Sequence, residues 1–104
     1  MTCDMPYDEI AADAISGRRV VVFCESWRQA DAHKRAIAAT ARRLGARHVV
    51  APRRDWRVDI DNAVVRLVLV DGLDGRGAQA DVAYLGSAAR MQHELAALMG
   101  AQVK

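Results

Sequence analysis

The chain has 104 residues, is 52% apolar and 5% aromatic, and carries a net charge of +2. That is enough for one small domain, with a modest core built from aliphatic side chains and alanine rather than aromatics. The composition excludes a collagen-like or low-complexity chain and a disulfide-dense module, and no apolar run approaches the roughly 20 residues that a bilayer-spanning helix needs.

Thirteen of the fifteen basic residues are arginine, and thirteen acids nearly cancel them. Bulk charge therefore demands no polyanionic partner. Residues 1–8 hold two acids and no base, which is not the pattern of a secretory signal. Cys3 lies near the start and Cys24 in an apolar run. Their spacing suggests no bridge, Cys24 reads as a small core hydrophobe, and the chain reads as cytoplasmic. Residues 1–6 and 101–104 are expected to be tails around a single domain over 7–100.

In chain order, residues 7–16 read as a short helix. Asp8 and Glu9 suit its positive end, and Ile10, Ala11, Ala14 and Ile15 repeat at helical spacing before Gly17. Residues 18–25 form the clearest strand. Five consecutive apolar residues from Val20 to Cys24 require cover on both faces, as in a parallel strand between helices. Ser26 and Gln29 have the spacing of a capping box opening a long helix that Gly45 ends. Ala30, Ile37, Ala41 and Leu44 are its expected buried side. Arg28, Arg35 and Arg42 recur on another side, and Asp31 is spaced to pair with Arg35.

Residues 47–51 read as a short strand stopped by Pro52. Residues 55–61 alternate, with Trp56, Val58 and Ile60 facing one way and Arg57, Asp59 and Asp61 the other. With a turn at Asp61-Asn62 and a returning strand over 63–71, they predict a β-hairpin. A glycine-rich loop over 71–77, a strand over 81–85 and a helix from Ser87 to about Met99 complete the order. The expectation is an α/β fold with about five mixed strands, a hairpin and flanking helices in three layers.

The junction from Glu25 to Gln29 is where α/β proteins bind anions, at a strand's carboxyl end and a helix's amino end. It holds no glycine to wrap a phosphate and Glu25 adds negative charge there, so the plain helix cap is the favoured reading. The loop over 72–77 matches neither phosphate-binding glycine pattern, and Asp71 and Asp74 miss the calcium-loop spacing. His33, His48 and His93 have no His or Cys at ligand spacing, so no metal and no cofactor are expected. Arg53, Arg54 and Arg57 with Trp56 form a basic and aromatic cluster. It suits nucleic acid, or else a solvated face paired with Asp55, Asp59 and Asp61.

Taken together, residues 17–30 (GRRVVVFCESWRQA), 60–65 and 75–85 resemble, in order and spacing, the ATPase core of phage large terminases and superfamily-2 helicases. The matched stretches are motif Ia, a hairpin turn and the approach to Walker B, within residues 7–92. The resemblance implies a RecA-like partial sheet. It also implies that the chain starts at the helix following the P-loop, without that loop. Gly86-Ser87 stand where the family has the Asp-Glu pair that binds magnesium and activates water. ATP hydrolysis is therefore not expected.

In that family the motif Ia segment touches the DNA backbone, which implies Ser26, Arg28 and Gln29 by position; Arg53, Arg54 and Arg57 are added by charge. The family sheet continues past the Walker B strand, which implies an open edge here. Val82, Tyr84 and the hairpin strand over 64–70 are the candidate partner surface, with Arg76 and Trp56 beside them. The expected function is a non-catalytic phage- or prophage-type protein that binds itself or a host or phage protein. A nucleic-acid-binding accessory module is the alternative. A new enzyme site is the third reading, supported only by Glu25, Asp71 and Asp74 at strand ends.

Overall fold

The computed structural model describes residues 5–69, 80–84 and 102–103. Two helices, α1 (Tyr7–Ile15) and α2 (Trp27–Arg43), accompany six strands. The strands are β1 (Val20–Cys24), β2 (Val49–Val50), β3 (Arg57–Ile60), β4 (Ala63–Leu69), β5 (Val82–Tyr84) and β6 (Gln102–Val103). They form one mixed sheet in the order β2-β3-β4-β1-β5-β6. The expected α/β class is the one observed.

β1 is central because every residue in it is apolar. It pairs in parallel with β4 on one side and β5 on the other. Val20, Val22 and Cys24 join the core beneath the helices, with Ile10, Ala14, Ile37 and Ala41. Val21 and Phe23 point the other way and are also buried, as the unbroken apolar run requires. Fully burying a valine or phenylalanine contributes about 1.5–3 kcal/mol, so this strand anchors the domain.

Both helices end in the same way. Gly17 and Gly45 have φ of +95° and +97°, values that a residue with a Cβ rarely adopts. Each glycine N–H reaches back three residues, Gly17 to Ala14 and Gly45 to Arg42, and the next N–H reaches Asp13 or Ala41. This is the Schellman closure, which satisfies the last carbonyls.

The hairpin follows the alternation in the sequence. Arg57 pairs with Arg66 and Ile60 with Ala63. Asp61 takes the left-handed conformation at φ 51°, which a short polar side chain tolerates. Its Oδ1 accepts the N–H groups of Arg47 and His48, both at 2.9 Å, and so fastens β2 to the turn.

Several expectations differ from the structure. Met5, placed in the N-terminal tail, is buried in the core. Residues 102–103, placed in the C-terminal tail, pair in parallel with β5, because β5 offers free backbone groups on that side. Leu44 is 43% exposed, since the helix closes at Arg43 and the turn carries Leu44 off the buried stripe. The helix and cap expected from Ser87 and the loop over 71–77 lie outside the described residues.

Candidate functional site

Ser26 stands outside the helix in extended geometry, and its Oγ accepts the Gln29 N–H at 3.1 Å. The Gln29 Oε1 in turn accepts the Glu25 N–H at 2.6 Å. Ser26 and Gln29 are thus engaged in capping α2. Arg28 projects from the same first turn and is exposed.

Between them sits Trp27, 44% exposed. Its indole stacks on Trp56 with ring centroids 4.5 Å apart and planes 23° from parallel. Trp56 opens the hairpin, and its carbonyl accepts the Leu67 N–H at 2.9 Å. Strand pairing therefore positions one ring and helix capping the other.

Lys34 stands two turns along α2 from Trp27 and is only 5% exposed. Its ammonium donates to the carbonyls of Pro52 and Asp55 and lies over the Trp56 ring, 5.6 Å from the centroid. The segment over 52–56 is folded around this cation. Burying an ammonium is costly unless its donors are used, and here carbonyls and an aromatic face replace water.

Beside it runs an open groove of about 480 Å³, lined by Asp31, Lys34, Arg35, Ala51 and Arg53. Asp31 and Arg35 form the expected pair at 3.2 Å. Arg53 and Arg54 are exposed. Arg28, Arg53 and Arg54 make no ion pair among the described residues. The first turn of α2 and the segment carrying Arg53 and Arg54, distant in sequence, thus meet where Trp27 stacks on Trp56.

Arg57 does not join them. It follows the residues that face the other side of the sheet, and it pairs with Asp55 at 3.2 Å and Asp59 at 3.3 Å. Val82 and Tyr84 are each 1% exposed, which corrects their reading as a partner surface. They face the helices, and β6 occupies the outer edge of β5. The Tyr84 hydroxyl donates to the Asp13 carboxylate. Burial, then this bond, pushes the phenol pKa well above its ordinary value. Residues 64–69 of the expected hairpin strand are likewise no open edge, because β4 lies between β3 and β1, and Val70 lies outside the described residues. Arg76, Gly86 and Ser87, with Asp71 and Asp74, lie outside the described residues.

Sequence reasoning missed Trp27 and Lys34 as members of this surface. Their seven-residue separation puts them on one side of α2, the same side as Ala30 and Ile37, but a lysine there reads as solvated. Among the described residues no group of His, Cys, Asp and Glu could hold a metal ion, and no helix is long and apolar enough to cross a membrane.

No family model, no curated protein and no solved structure matches the chain.

Proposed function

We propose that this chain is a non-catalytic nucleic-acid-binding module whose working surface is the Trp27–Trp56 stack and the arginines around it. One observation carries the reading: the Trp27–Trp56 stack joins the first turn of α2, which bears the exposed Arg28, to the segment that bears the exposed Arg53 and Arg54, and none of the three has a carboxylate partner among the described residues. Guanidinium groups suit phosphate contact, and aromatic faces suit bases. The likeness of residues 17–30 to a DNA-contacting segment of terminases and helicases supports the same surface, in a cytoplasmic phage- or prophage-type setting. Gly86-Ser87 in place of the acidic pair supports a role without ATP hydrolysis.

The test is titration of labelled single- and double-stranded DNA at two salt concentrations. Three or four phosphate contacts imply that log K falls with log salt at a slope of about −2 to −3 on the single strand and about −3 to −4 on the duplex. Replacing Arg28 and Arg53 by alanine together is expected to weaken binding and flatten that slope. Absence of salt-sensitive binding in the micromolar range would overturn the reading.

A second reading, self-association, is favoured at another place. β2 is bonded on one side only among the described strands, to β3, and Val50 on it is 54% exposed. Exposed strand edges pair with other chains. Light scattering on wild type and Val50→Lys tests it: a dimer that the lysine dissociates supports the reading, and a strictly monomeric wild type removes it.

A further inference from the structure

We infer that the nucleic acid is single-stranded and that one of its bases stacks on the outward face of Trp27. The inference rests on the function proposed above and specifies its ligand. Trp56 covers one face of the Trp27 indole at 4.5 Å, yet 44% of Trp27 remains accessible. Trp27 thus keeps accessible surface beyond the face that Trp56 covers, and this is where the inferred base extends the stack.

The platform is held in place before any ligand arrives. Trp56 is tied to β4 through its carbonyl. Its ring lies under the Lys34 ammonium, which two backbone carbonyls hold. Trp27 is fixed at its own backbone by the Ser26–Gln29 cap. A ring already ordered loses little conformational entropy on binding. Bases in a duplex already stack on their neighbours, so only an unpaired base offers a free face. Arg28, on the residue after Trp27, and Arg53, in the adjoining groove, bring positive charge to the phosphates on either side.

Both tryptophans of the chain belong to this stack, so intrinsic fluorescence reports on it directly. Three probes separate the contributions: a thymidine oligonucleotide, a fully abasic strand of the same length, and a duplex of that length. The thymidine strand is expected to quench tryptophan emission and to bind about tenfold more tightly than the abasic strand, the usual scale for one stacked base. Trp27→Ala is expected to weaken thymidine-strand binding about tenfold and leave abasic binding unchanged. Trp27→Phe, which keeps a ring, is expected to retain most of the affinity, and the unchanged abasic binding of Trp27→Ala shows that its loss is not loss of fold.

Equal affinity for thymidine and abasic strands, or tighter binding of the duplex, overturns the stacking inference while leaving nucleic-acid binding in place. No salt-sensitive binding of any probe overturns both.

Discussion

The Tyr7 hydroxyl and the His33 Nδ1 share a 2.6 Å hydrogen bond that joins α1 to α2. His33 is 1% exposed, and the rings meet at 60° with centroids 5.5 Å apart. The burial of this imidazole between the helices makes the pair sensitive to acid.

Burial holds the His33 pKa below its ordinary 6.5, because the charged imidazole loses hydration. The unfolded chain therefore takes up this proton at higher pH than the folded one. Stability from this group is complete above pH 6.5 and is lost as pH falls from 6.5 through the lowered folded value. Thermal melts on both sides of pH 6.5 are expected to show Tm dropping on the acid side. His33→Gln should flatten that slope. Asp81, whose pKa is lowered from 3.8 by backbone and side-chain bonds from Arg19, acts in a separate and more acid window. A wild-type Tm that stays level across the His33 window contradicts the prediction.

Lys34→Met keeps most of the aliphatic stem but removes the donor to Pro52 and Asp55. Two carbonyls lose their partner, so the expected cost is about 2 kcal/mol in urea unfolding. Loosening of residues 52–56 should also change tryptophan emission in the folded state. A substitution that is neutral in both measurements would show that the ammonium is not what holds this segment.

At Asp61 two effects are separable. Asp61→Asn keeps a side-chain acceptor and tolerates positive φ, and is expected to cost least. Asp61→Gly keeps the conformation but loses the bonds to Arg47 and His48. Asp61→Ala loses both, at about 2 kcal/mol or more. The order of urea midpoints, Asn above Gly above Ala, is the readout; alanine matching asparagine would refute it.

Tyr84→Phe removes a buried hydroxyl that donates to Asp13 and so links β5 to α1. The expected loss is about 1–3 kcal/mol of stability, with DNA affinity unchanged. Altered affinity at unchanged stability would return Tyr84 to the binding surface.

Local pattern carried much of the architecture. The apolar run from Val20 to Cys24 can be satisfied only with both faces covered, and β1 is buried throughout. Ser26 and Gln29 cap α2 because a hydroxyl and an amide three residues apart reach neighbouring N–H groups. The alternation through Trp56, Val58 and Ile60, broken by Asp61-Asn62, sets the β3–β4 register. Each of these depends on groups a few residues apart.

Lys34, Val82, Tyr84 and the two tryptophans depended on the rest of the fold. A lysine on a helix reads as solvated, and only the return of residues 52–56 supplies carbonyls and a ring to replace water around it. A strand's edge reads as open until another segment pairs with it, as Gln102–Val103 pairs with β5. The sequence alone thus determined which residues turn, cap and bury, because those choices are settled by nearby backbone geometry and solvation. The tertiary structure alone decided which distant side chains share a surface, because the meeting of Trp27 with Trp56 follows from where β3 and α2 pack and not from any spacing between them.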